Sequence, residues 1–211
     1  PFEIGFAQWD GAAWVRHGDP VITATEDWED WEGGDPFVLE PSVIYDAALD
    51  PPWRMLYTAG DELNLAYADS QDGITWGNKK IFFASEVFPA WSCDWAKVGD
   101  HYELITSTIS KPGTLARARC ETPSSTFADW SEFETLLEGD EGQHWHGNWV
   151  YGPAIHVGDD PEEVRVYFTG RDEHWGETHP HIGRFQVVPM AAAVVGGVGF
   201  GAARAAFAVG G

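Results

Sequence analysis

The sequence predicts an all-β fold of four-stranded antiparallel units repeated around an axis, the β-propeller arrangement. Three observations lead there. A strand, an Asp-Gly turn and an opening aromatic recur along the chain, as Glu3–Trp14 (EIGFAQWDGAAW) and as Asn64–Trp76 (NLAYADSQDGITW). Two further β-prone segments precede that pattern in a fixed order. Helical periodicity is weak throughout, and apolar residues fall at period 2.

The elements can be laid out in order. The third-strand segment has weaker copies at Leu115–Trp130 and His181–Phe185, and setting Ala7, Ala68, Ala118 and Phe185 in register gives spacings of 61, 50 and 67 residues. Ahead of it lies a second-strand segment, as Trp53–Asp61 (WRMLYTAGD), His101–Ile109 (HYELITSTI) and Val164–Asp172 (VRVYFTGRD), each of buried-strand character. Ahead of that lies an inner strand, as Glu40–Asp46 (EPSVIYD), Asp94–Asp100 (DWAKVGD) and Gly152–Asp160 (GPAIHVGDD). Fourth strands follow as Lys79–Ser85 and Glu132–Gly139. A β-sandwich would not explain why the same order of segments returns.

This layout supplies the outer half of one blade up to about Thr25, two complete blades, and most of another from about Asn148 to Val188. The total is roughly three and a half blades, below the usual minimum of four for closure. Because the first blade lacks inner strands ahead of Pro1, the sequence reads as a fragment. Residues 1–188 are expected to form this incomplete propeller. Residues 189–211 are Ala- and Gly-rich, with six Gly within 191–211 and a central Arg204. That composition makes a poor membrane-spanning helix, so a flexible tail and no membrane partner are expected.

The turns and their aromatics read as structural. The two Asp-Gly turns are expected in type I′ geometry, with positive φ at both central residues. Trp14, Trp76 and Trp130, which follow the turns, are expected to pack between blades.

Composition bounds the function. The chain has 211 residues, 44% of them hydrophobic and 14% aromatic, which suits one domain with a sizeable core and excludes disorder. Its 34 Asp and Glu against 12 Lys and Arg give a net charge of −22, which repels nucleic acid. Such a surface reads either as halophilic adaptation or as an ordinary acidic protein. Cys93 and Cys120 match no metal-ligand spacing. They fall at opposite ends of two parallel strands of one blade, so no disulfide is expected between them.

The segments IGFAQWDG…W and LAYADSQDGITW resemble a signature of five-bladed propellers of the glycoside hydrolase family 43, 32 and 68 kind. Asp35–Gly60 (DPFVLEPSVIYD…WRMLYTAG) and VRVYFTGRD resemble further segments of that superfamily, and the likeness covers nearly all of residues 1–188. It implies a carbohydrate-active enzyme whose carboxyl groups sit on the inner strands around the central axis. Two active carboxyls are needed because glycosidic cleavage wants one protonated acid at the leaving oxygen and one ionised partner at the anomeric carbon. Carried over by position, the resemblance marks Glu40 and, one blade later, Asp94 as catalytic candidates. In the third copy the position is Gly152. Glu86, ahead of the Asp94 strand, is the alternative donor.

Sugar contacts are expected from Trp91, Trp95 and Trp149 near the inner-strand entrances, with Trp31 among the same aromatics. Arg171 and Asp172 end a second strand, where Arg171 either clamps a sugar or pairs with an acid between blades. His146, in QHWHGNW, reads as a sugar contact, as a ligand of the axial calcium that some relatives hold, or as a loop histidine. No organic cofactor and no protein-built metal site are expected. A saccharide is the expected partner. The alternative is a non-catalytic carbohydrate-binding or protein-interaction propeller.

Overall fold

The computed structural model describes residues 2–31, 34–60, 62–84, 90–108, 112–139, 149–159, 163–171 and 181–187, with residue 171 and residues 181–187 as backbone. It begins with a two-stranded hairpin, β1 (Ala7–Trp9) and β2 (Trp14–Arg16), followed by the short pair β3 (Asp30–Trp31) and β4 (Asp35–Pro36). Two four-stranded antiparallel meanders come next. The first is β5 (Val38–Tyr45), β6 (Trp53–Ala59), β7 (Asn64–Ser70) and β8 (Trp76–Phe83). The second is β9 (Ala90–Val98), β10 (His101–Thr108), β11 (Thr114–Cys120) and β12 (Glu134–Glu138). A three-stranded sheet of β13 (Trp149–Val157), β14 (Val164–Arg171) and β15 (His181–Val187) ends the described chain. These are the half blade, the two whole blades and the further partial blade of the repeat. The helical turns among the described residues are two 3-10 turns, Asp27–Glu29 and Phe127–Asp129.

Period-2 alternation explains how the blades stack. On β6 and β7, Leu56, Leu65 and Tyr67, with Phe82 and Phe83 of β8, face the next blade, where they meet Trp95, Tyr102, Leu104 and Trp130. Their sequence neighbours Met55, Tyr57, Ala66 and Ala68 face the other way, against Ile4 and Ile22 of the N-terminal segment. On β10, Leu104 joins the first interface, while Ile105 packs with Val98, Val164 and Val166 toward the third blade. β9 therefore lies between β5 on one side and β13 on the other.

The N-terminal segment is locked down by a buried charge. Glu29 has 0% exposure, and its carboxylate accepts hydrogen bonds from the N–H groups of Thr25 (2.8 Å) and Glu26 (3.1 Å), from the Tyr57 hydroxyl (2.7 Å) and from Lys79 Nζ (2.9 Å). Lys79 also donates to the Thr23 carbonyl at 2.6 Å and to Thr25 Oγ1 at 3.0 Å. Burial, then the Glu29 charge, pushes the Tyr57 phenol far up.

Two structural expectations are corrected. The Asp-Gly loops are not two-residue type I′ turns: positive φ occurs at Gly11 (103°) and Gly73 (76°), and neither Asp10 nor Asp72 has it. The loops are longer, and each Asp carboxylate folds back onto them. Asp10 takes the N–H groups of Ala12 and Ala13, and Asp72 those of Ile74 and Thr75. Trp14 does not pack between blades. It is 72% exposed and meets only the 51% exposed Trp9 edge-on, since the described hairpin has two strands and nothing against its faces. Trp130 is buried as expected, and Cys93 and Cys120 are both free thiols.

Lys79→Met leaves the Glu29 charge buried without its cation and should destabilise the fold by about 3–5 kcal/mol in urea unfolding. Asp72 is held down to about 2 by the Thr75 and Ile74 N–H groups and the Ser70 hydroxyl. Its contribution is complete above the unfolded carboxyl pKa of about 4 and is lost as pH falls through about 2. Asp72→Ala should therefore flatten the acid limb of stability against pH in that window.

Candidate active site

The inner strands β5 and β9 carry the candidate carboxylates Glu40 and Asp94; β5 and β13 are bulged at the same level, while the irregularity of β9 lies elsewhere, at Trp91. On β5, Glu40 and Pro41 stand where Tyr57 is the one residue of β6, between the pairs Leu39↔Thr58 and Ser42↔Leu56. On β13, Gly152 and Pro153 stand opposite Phe168 in the same way. Asp94 pairs with Ile105, which lies at the level of Tyr57 and Phe168 counted from the hairpins Tyr45↔Trp53, Val98↔His101 and Val157↔Val164. The sequence register of Glu40, Asp94 and Gly152 is thus a real level in the fold.

At that level Glu40 has φ of 53° and Gly152 has φ of 60°. Glycine adopts this left-handed conformation freely, whereas in a glutamate it costs about 1–2 kcal/mol. The Glu40 side chain is exposed and makes no hydrogen bond to a described residue. Desolvation by the protein around it nevertheless raises its carboxyl pKa.

Asp94 is half-buried and fully engaged. Its Oδ1 accepts from Ser42 Oγ at 2.5 Å and from the Trp95 N–H at 3.0 Å, and its Oδ2 accepts from the Ile155 N–H at 2.7 Å. One carboxylate therefore joins β5, β9 and β13. Burial raises its pKa, and the three donors, Ser42 first, work against that rise. Burial pushes the thiol of Cys93, beside Asp94 on β9, well up, helped by the charges of Asp94 and Glu40. Both carboxyls thus act on one point. Ser92 completes the level by accepting the Gly152 N–H at 3.0 Å and pairing with the Ser107 hydroxyl at 3.0 Å.

The expected sugar contacts divide. Trp91 is half-buried on β9, and its carbonyl accepts the Thr58 hydroxyl at 2.6 Å. Trp149 is half-buried at the start of β13, in register with Arg171 at the end of β14. Trp31 is 44% exposed and lies on Phe37, with ring centroids 4.6 Å apart. Trp95 is corrected: only 2% exposed, its indole packs between blades near Trp130 and donates Nε1–H to the Ser42 carbonyl at 3.0 Å, so no sugar can stack on it. Strand alternation carries the signal, because Trp95 shares the face of buried Cys93. Glu86, His146 and Asp172 lie outside the described residues. Among the described residues no group of three or more His, Cys, Asp or Glu could hold a metal ion. No described helix is long and apolar enough to cross a membrane.

Sequence reading missed Ser42 and the Ile155 N–H, the two cross-blade donors to Asp94. Ser42 was visible only as a hydroxyl inside the apolar run PSVIY. In Asp94→Asn an amide NH2 must face either the Ile155 or the Trp95 N–H, leaving a donor unpaired. A loss of about 1–3 kcal/mol is expected in denaturant unfolding.

No family model matches the chain, and no curated protein does. Solved structures do. A candidate glycoside hydrolase from Bacteroides ovatus superposes with a TM-score of 0.61 at 19% identity, covering 87% of this chain and 60% of its own. A candidate glycosidase from Bacteroides thetaiotaomicron gives 0.60 at 19%, over 85% and 58%. The α-L-arabinofuranosidase of Podospora anserina, solved in complex with cellotriose, gives 0.53 at 13%, over 71% and 54%. The chain thus spans about three fifths of the length of the first two. What it shares with these glycoside hydrolases is the β-propeller fold.

Proposed function

We propose that the protein is a glycoside hydrolase that cleaves an oligo- or polysaccharide of the arabinoside, xyloside or fructoside kind, with Glu40 as its acid. The observation that carries this reading is the conformation of Glu40. A glutamate occupies a left-handed position that the blade after next fills with Gly152, and its carboxyl makes no hydrogen bond to a described residue. Backbone strain of this kind collects at functional sites. A carboxyl pKa raised by desolvation suits a group that must be protonated to donate to the leaving oxygen. Asp94, with both oxygens already engaged, acts by fixing the inner strands. Glu86 is the alternative donor. Trp91, Trp149, Arg171, Asp172 and His146 supply the sugar contacts.

One observation favours a second reading, a carbohydrate-binding propeller without catalysis. On the described inner strands Glu40 is the one carboxylate without a hydrogen bond to a described residue, since Asp94 is engaged and the third position is Gly152.

Hydrolysis of aryl arabinoside, xyloside and fructoside panels tests the first reading. Glu40→Gln is expected to lower kcat by about 10²–10⁴. Glu40→Gly should lose the same activity while stability holds or rises, because the strain is relieved. Wild-type kcat should fall as pH rises through the raised Glu40 pKa, and that limb should vanish in Glu40→Gln. Full activity in both variants refutes the assignment. Calorimetric binding of arabino- or xylo-oligosaccharides without turnover would favour the second reading.

A further inference from the structure

We propose that Ser42 is the positioning residue for Glu40, tying the left-handed bulge of β5 to Asp94 and Trp95 of the neighbouring blade. Only the kinetic arm of the test rests on the reading of Glu40 as the acid.

Glu40 needs such a tether. Its side chain makes no hydrogen bond to a described residue, and it precedes Pro41, a position that favours extended backbone. Nothing at Glu40 itself therefore holds a φ of 53°. The first ladder residue after the bulge is Ser42, paired with Leu56 and 7% exposed. All its side-chain bonds, and the indole bond to its carbonyl, run to β9 of the next blade. Ser42 Oγ donates to Asp94 Oδ1 at 2.5 Å, the Trp95 N–H reaches Ser42 Oγ at 3.4 Å, and Trp95 Nε1 donates to the Ser42 carbonyl at 3.0 Å.

The matching bulge on β13 serves as an internal comparison. There Gly152 takes the same conformation without strain, and its own N–H is held by Ser92 Oγ at 3.0 Å. Asp94 secures that strand through a backbone group, the Ile155 N–H, where it secures β5 through a side chain. Both bulges are thus tied to β9 by a serine hydroxyl, the Gly152 bulge by one that β9 supplies and the Glu40 bulge by the one that β5 itself carries at Ser42. The direction of Glu40 is accordingly set by the docking of one blade on the next.

The test reads the Glu40 backbone directly, by its 13Cα and 13Cβ shifts and its HN–Hα coupling, in wild type, Ser42→Ala, Ser42→Thr and Trp95→Phe. Wild type and Ser42→Thr are expected to give the left-handed signature. Ser42→Ala should move it toward extended values, and Trp95→Phe should move it the same way by less. On whichever aryl glycoside the wild type cleaves, Ser42→Ala should lower kcat by about 10–100-fold with KM within about twofold, the mark of misplacement rather than lost binding.

An unchanged Glu40 signature in Ser42→Ala overturns the proposal. So does an equal loss in Ser42→Ala and Ser42→Thr with Trp95→Phe unchanged, which would assign the effect to packing. Should Ser42→Ala fail to fold, Trp95→Phe decides, and a wild-type signature in it overturns the proposal. If the wild type cleaves none of the glycosides, the hydrolase reading fails, while the spectra still decide the role of Ser42.

Discussion

The carboxylate of Asp94 is the interaction on which the arrangement of the inner strands depends. Each described blade is a separate sheet, so no backbone ladder runs from one to the next. Apolar packing presses the blades together, but burial of area has no preferred direction. Two oxygens bonded to Ser42, Trp95 and Ile155 do have one. They fix how far β5 and β13 slide along β9, and so the level at which Glu40 and Gly152 stand. The Thr58 hydroxyl on the Trp91 carbonyl and Ser92 on the Gly152 N–H repeat the device more weakly on the same strand.

A site built this way draws its precision from paired strands rather than from loops, which is where a small displacement is least affordable. It also separates two demands that a single carboxyl could not meet. A carboxylate that accepts from three donors is held in place, and those donors favour its ionised form, which has no proton to give. An acid with no partner is disposed to give one but must be held through its backbone. On the proposed reading, Asp94 and Glu40 divide these roles between neighbouring blades.

The blades were legible in the sequence because alternation and repetition are local signals. Leu56 and Leu65 against Met55 and Ala66 can be read without knowing what lies opposite, and copies of one unit give the register of Glu40, Asp94 and Gly152. What was not legible is non-local or conformational. The Glu29–Lys79 pair spans fifty residues of sequence and is defined only once the N-terminal segment lies on β6 and β7. The left-handed φ of Glu40 has no mark in the letters Glu-Pro, and it emerges only beside Gly152-Pro153. The Asp-Gly loops misled because Asp-Gly fits both a tight turn and a longer loop in which the carboxylate caps the backbone. Trp95 misled because a tryptophan beside an inner-strand acid suits both a sugar platform and a packing wedge, and only strand parity separates them.

The half blade carries a colloidal consequence. Among the described residues β1 and β15 are each paired on one side, whereas the corresponding β7 and β11 are paired on both. Trp9 and Trp14 stand exposed on the hairpin that holds β1. Open edges flanked by indoles invite strands of other molecules to add. A net charge of −22 opposes that approach at low ionic strength, and salt shortens the reach of the repulsion to a few ångströms. Between the described edges, dilute buffer therefore strengthens the repulsion and concentrated salt weakens it.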